Sequence, residues 1–206
     1  MKNLIFFISI TISFVTLTEL SVCQLSSSYI DINNEAKEHI TRLHDSSVLL
    51  VRLQTRELSL QAYRDAGQNK FANKKELEQK ALNQQIVNAF RKNFNFCDVY
   101  FFYTDKSSNI IDEEYWKVTF LNDSLQEDPT ILPDLVNQYY YVAEFRVIRS
   151  ETMIQGLALM DSKLNQLSKP FPYYAKNPFF ASKSKFAFTT VKRFNNNLHR
   201  YYQNTK

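Results

Sequence analysis

The period of the hydrophobic residues changes several times along this chain, and each change marks an element. Leu4 to Val15 is an apolar run of Ile, Phe, Leu and Val broken only by Ser and Thr, with Lys2 before it and the more polar Thr16–Cys23 after it. That three-part layout predicts a secretory signal over 1–23, cleaved before Gln24, with the small residues Ser21 and Cys23 at the cleavage positions. The run is about a dozen residues, whereas a membrane-spanning helix needs roughly 20, and no later segment is apolar enough to span a bilayer. Leu20-Ser21-Val22-Cys23 also has the outline of a lipobox, which would make Cys23 a lipidated first residue; Val22 stands where such motifs carry a smaller side chain.

Beyond residue 24 the pattern predicts alternating elements. Ile32–Leu43 reads as a short helix capped by Asp31, and Ser47–Leu53 (SVLLVRL) as a strand buried on both faces. Thr55–Ala66 and Asn73–Asn93 read as helices. Gly67 stands where a C-terminal cap would end the first, and Leu77, Ala81, Leu82, Ile86, Ala89 and Phe90 form the apolar stripe of the second. Asp98–Thr104 (DVYFFYT) is a second buried strand. Tyr115–Leu121 and Tyr139–Ile148 alternate as strands with one wet face, the first with Trp116, Val118 and Phe120 inward, the second with Ala143, Phe145 and Val147 inward against Glu144 and Arg146. Gln155–Met160 is a further short strand, and Phe194–Tyr202 a last short helix.

A strand, then helices, then a strand implies a parallel pair with a right-handed crossover; the later strands suit an antiparallel meander. The expected fold is a single α/β (or α+β) domain over 24–206, with a mixed five-stranded sheet and helices packed on it. A thioredoxin-like topology satisfies this order by analogy alone, and C-x-x-C is absent.

Composition changes this picture in two ways. There are 2 glycines in 206 residues, against about 7% in ordinary proteins. Phosphate-cradling loops need clustered glycines, so nucleotide-fold enzymes are disfavoured. The wealth of Asn, Lys, Ile, Phe and Tyr follows from AT-rich codons and carries no functional message by itself. After cleavage Cys97 is the remaining cysteine, so the exported domain has no internal disulfide and must hold together by its core.

Charge is the second change. Residues 162–206 hold nine cations, Lys163, Lys169, Lys176, Lys183, Lys185, Lys192, Arg193, Arg200 and Lys206, and no Asp or Glu; residues 24–161 hold fifteen basic and twenty acidic residues. The cations lie among Phe171, Tyr173, Tyr174, Phe179, Phe180, Phe186, Phe188, Tyr201 and Tyr202. Such a segment can grip an anionic envelope component or an acidic protein, nucleic acid being no expected partner of an exported chain. The plainer reading is that its aromatics pack onto the sheet and its charge balances the acidic body. Pro170, Pro172 and Pro178 predict an irregular first part.

Candidate chemistry is thin. Cys97 precedes an apolar strand, where a free cysteine behaves as a small hydrophobe, and Asp98 beside it raises the thiol pKa. His39 and His44 are five residues apart, about 140° around a helix, which does not suit a metal pair. His199 reads as a surface histidine, and Asp112, Glu113 and Glu114 as a solvated loop. No catalytic, cofactor-binding or metal-ligating residue is assigned. The reading leans away from an enzyme, toward an exported binding domain; a hydrolase or redox enzyme with an unrecognised site, and an accessory subunit of an envelope complex, are the alternatives.

The segments S-V-L-L-V-R-L at Ser47–Leu53, A-F-R-K-N-F-N-F-C-D-V-Y-F-F at Ala89–Phe102, F-L-N-D-S-L at Phe120–Leu125, A-L-M-D-S at Ala158–Ser162, P-F-P-Y-Y at Pro170–Tyr174 and L-H-R-Y-Y at Leu198–Tyr202 resemble an uncharacterised family of exported proteins of Bacteroidota. Gln24 as first mature residue fits the same resemblance. It implies export to the periplasm or beyond, and no activity or site residue.

Overall fold

The computed structural model describes residues 30–151, 153–178 and 185–206. The signal 1–23, Cys23 and Gln24, as well as Phe179, Phe180 and Lys183, lie outside the described residues. The described residues form one α/β domain. Helix α1 covers 30–45, followed by β1 (Ser47–Leu53), α2 (Glu57–Asp65), α3 (Asn69–Asn93), β2 (Asp98–Tyr103), α4 (Ser107–Ile111), β3 (Tyr139–Arg149), β4 (Ile154–Met160), β5 (Tyr174–Lys176) and α5 (Phe186–Thr205). The sheet order is β2-β1-β3-β4-β5. β1 runs parallel to both neighbours, with Leu50 opposite Tyr100 and Val142, whereas β3–β4 and β4–β5 are antiparallel.

The continuous apolar run of β1 is explained by its central position. Leu49, Val51 and Leu53 face α1, α3 and α5, where they meet Ile40, Leu43, Ile86, Phe90, Phe194 and Leu198. Val48 and Leu50 face the other side, covered by Ile110 of α4 and by Val118, Phe120 and Leu135 from the long connection between α4 and β3. Burying each such side chain is worth about 1.5–3 kcal/mol, so two filled faces hold the domain, with no disulfide among the described residues. Gly67 ends α2 as its sequence position predicts: its φ is +73°, its N–H donates to the Arg64 carbonyl at 2.9 Å, and the Gln68 N–H reaches the Tyr63 carbonyl at 2.8 Å.

Several expectations are corrected. Tyr115–Leu121 is not a strand: Tyr115–Lys117 forms a 3-10 turn, and only isolated bridges tie Leu121 to Phe101 and Glu127. Val118 and Phe120 are buried as the alternation implies, but under a segment laid across the sheet face, and Trp116 is 78% exposed. The fifth strand is Tyr174–Lys176 instead, so the antiparallel meander consists of β3, β4 and β5. Asp31 lies inside α1 rather than capping it. In α3 the buried stripe runs Gln79, Asn83, Ile86, Phe90, while Leu77 is 69% exposed. Glu144 is buried, because β3 is an inner strand with both faces covered. The last helix starts at Phe186, since Ala187 and Val191 extend the stripe of Phe194, Leu198 and Tyr202 by two turns.

With so few glycines, ordinary residues fill the tight turns. Arg56, Glu113, Leu125, Met153 and Leu164 all have φ between 49° and 63°, in the left-handed region.

Candidate anion-binding site

The basic C-terminal segment folds back as part of the domain. Phe171, Tyr173, Phe194 and Tyr202 are buried in the larger core, with Tyr174, Phe186 and Tyr201 packed against it. The plainer reading therefore holds for these aromatics, whereas Phe188 is 38% exposed. It does not hold for the charges: among the described residues, Lys163, which meets Glu113 at 3.3 Å, is the sole cation of 162–206 in an ion pair with a carboxylate.

Four of the others line one cleft. Its first wall is the segment Lys169–Lys176, ending in β5; its second is a stripe of α5, Arg193, Asn197, Arg200, Tyr201 and Asn204. Steps of four, three and four residues put 193, 197, 200 and 204 on one helix face, beside the buried stripe at 194, 198 and 202. The cleft measures about 460 Å³ and is lined by Lys169, Lys176, Arg193 and Arg200, with no acidic residue. Arg193 is held in place by donating from Nη1 to the Lys176 carbonyl at 3.2 Å, and Arg200 donates from Nη2 to Asn197 Oδ1 at 3.3 Å. Both bonds leave the guanidinium charge uncompensated. Tyr201 stands edge-on to Phe171 at 6.1 Å, and burial raises its phenol pKa. A neighbouring pocket of about 280 Å³ carries Glu35, His39 and Asp161, and meets the cleft at Lys169, Pro170 and Phe171.

The other candidates are placed apart. Cys97 is half-buried just before β2, with its pKa pushed up to about 12 by burial and then by Asp98, so at neutral pH it is a thiol. His39 contacts the Tyr141 hydroxyl through Nδ1 at 2.8 Å, and burial pushes that phenol up to about 12. Glu114 is held below the usual carboxylate range by its hydrogen bond from Lys117, while Glu113 beside it meets Lys163, so two of the acidic triplet are engaged by lysines. No group of His, Cys, Asp and Glu among the described residues is arranged to hold a metal ion.

His44 and His199 meet around Phe96, each ring 5.0 Å from it, where the end of α1, the α3–β2 loop and α5 converge. His44 stacks on Tyr202 at 4.1 Å, and Asp45 accepts from His44 at 2.5 Å and Tyr202 at 2.9 Å, bonds that lower its pKa. The His199 pKa is lowered by burial and then by His44. A histidine with a depressed folded pKa leaves stability intact above about pH 6.5 and costs stability as pH falls below it, because the unfolded chain takes up the proton first. His199→Gln is expected to flatten the loss of stability between about pH 7 and pH 5, read as the urea midpoint against pH; an unchanged slope would assign the pH dependence to other groups.

A second polar constellation sits at the carboxyl end of β1, opposite the middle of β3. Glu144, its side chain 4% exposed, accepts from Arg52 Nη1 at 3.0 Å and from the Gln54 amide. Arg52 Nε donates to Ser107 Oγ at 2.8 Å, and Ser107 donates to the Thr104 carbonyl at 2.6 Å. Asn83 donates to the Gln54 carbonyl and accepts from Gln79, each at 2.9 Å. Every member is satisfied, and among the described residues Ser107 meets Arg52 and the Thr104 carbonyl and no base, so the network fastens the end of β1 to the middle of β3, to α3 and to α4 and assembles no nucleophile. Sequence reading missed it because the bonds that join its elements link residues 29 to 92 positions apart. The stripe 193/197/200/204 was legible, once the last helix was extended to include it.

Compared with known proteins, the chain matches no family model, no curated protein and no solved structure.

Proposed function

We propose that this is an exported, non-enzymatic binding domain that takes an anionic ligand of the cell envelope in the cleft between Lys169–Lys176 and α5. The observation that carries the reading is the set of four cations on the cleft walls, none paired with a carboxylate among the described residues. Unpaired charges of one sign on a concave surface focus an attractive field on the opposite charge. An edge strand is also commonly blunted by Lys and Arg, but blunting three residues of β5 does not require two arginines aligned on a neighbouring helix. Export rests on the pattern of residues 1–23.

Two measurements test the reading. Protein recovered outside the cytoplasm should begin at Gln24; a chain retained inside with its first 23 residues would defeat the export half. Full-length protein should bind inorganic tripolyphosphate with an affinity that falls as salt rises, since exposed charges are screened over about 10 Å at 0.1 M. Arg193→Gln/Arg200→Gln should weaken that binding at least tenfold at unchanged stability, and equal binding by the double variant would take the cleft out of the account.

The accessory-subunit reading finds its support elsewhere. Trp116, Leu132 and Val136 leave large apolar side chains exposed in the connection before β3, and a stable complex that buries them would make it the primary role.

A further inference from the structure

We propose that the ligand of this cleft is an acidic oligosaccharide, a uronate- or sulfate-bearing chain of two or three sugars; the inference rests on the anion-binding reading above.

Size is the first argument. A cleft of about 460 Å³ lies within the range that holds an organic ligand. One phosphate or sulfate would engage one or two cations and leave most of that space to water. With cations on both walls, the ligand that satisfies them carries several negative charges spread along its length.

The remaining lining separates saccharide from the other polyanions. Tyr174 and Tyr201 are half-buried, Tyr201 braced by Phe171 at 6.1 Å and Tyr174 tilted against Tyr173 at 4.7 Å. A braced ring with one accessible side offers an apolar platform with a polar tip, and the C–H face of a sugar matches it. Asn197 and Asn204 line the helix wall. An amide offers donors and an acceptor together, which is the need of a hydroxyl group. Phosphates and carboxylates only accept at neutral pH, and cations alone would serve them.

An acidic peptide would be held most simply by adding a strand to the sheet edge. That mode is disfavoured, since β5 is three residues long and its Lys176 carbonyl already accepts from Arg193.

The test is calorimetric titration of the full-length protein with trigalacturonate, a heparin-derived disaccharide, maltotriose, triglutamate and inorganic tripolyphosphate. At least one acidic saccharide should bind tenfold or more tightly than triglutamate and tripolyphosphate, with maltotriose weaker still. Tyr174→Ala and Asn204→Ala should each weaken the saccharide severalfold and leave tripolyphosphate unchanged, whereas Arg200→Gln should weaken both. Asn204 is exposed, so that variant stays informative if Tyr174→Ala fails to fold. If tripolyphosphate or triglutamate binds as well as the saccharides, the saccharide inference fails and the anion cleft stands. If no anion binds, the anion reading fails with it.

Discussion

Replacing Arg52 by Met is expected to lower the unfolding free energy by about 3–5 kcal/mol, the cost of leaving a buried charge without its partner. Arg52 and Glu144 occupy paired positions on β1 and β3, and their side chains are 22% and 4% exposed. The carboxylate of Glu144 keeps only the Gln54 amide when the guanidinium goes, and Ser107 loses the donor at its Oγ. An exposed pair would cost about 0–1 kcal/mol, so the size of the loss measures how far this pair is removed from water. Arg52→Met/Glu144→Gln removes the charge along with its partner while retaining an acceptor for Gln54, and should recover a large part of the loss. Chemical denaturation of the two variants gives both numbers. A loss under about 1 kcal/mol for the single variant would mean that β1 and β3 are held here by the ladder and the apolar cores alone.

Gly156→Ala should have a comparable effect at the far edge of the sheet, about 3 kcal/mol, toward the upper end of what overpacking costs. A Cβ at Gly156 would lie 2.2 Å from the Ala175 carbonyl oxygen and 2.7 Å from Ile148 Cδ1. The first neighbour is backbone, so no rotamer change relieves it. Either β4 bends or the short β5 leaves the sheet. β5 is the less anchored of the two, with three paired residues against seven on the β3 side. Its departure would remove one wall of the basic cleft while α5 keeps the other. Anion binding should therefore fall together with stability, read by calorimetry and by thermal unfolding. Gly67→Ala is the control: nothing lies within 4 Å of a Cβ there, and only the φ of +73° resists it, at about 1–2 kcal/mol. Gly156→Ala with wild-type stability would contradict the close approach.

The elements that sequence reading placed well are those whose burial shows in a short window. β1 is an almost unbroken apolar run because helices and the α4–β3 connection cover its two faces; β2, expected to be buried throughout, is an edge strand that buries only Phe101 and Phe102. Tyr115–Leu121 misled because alternation reports which side chains are buried, not whether a neighbouring strand supplies hydrogen bonds; Phe120 is buried with no ladder beside it. Gln79, Asn83 and Glu144 look like surface residues in any window; distant partners make the burial of Asn83 and Glu144 tolerable, and Gln79 bonds to Asn83 one turn along α3. The cleft shows the same limit. The excess of cations in 162–206 is plain by counting, but their convergence depends on β5 meeting a helix that starts ten residues later.

The left-handed turns at Arg56, Glu113, Leu125, Met153 and Leu164 connect the scarcity of glycine, 2 in 206 residues, to the energy of the backbone. Every glycine codon begins with two guanines, so a coding sequence biased toward A and T is short of the residue that enters this conformation freely. A residue with a Cβ pays about 1–2 kcal/mol to sit there. The scarcity of glycine is thus carried in the folded protein as conformational strain, spread over five connections rather than gathered at one site.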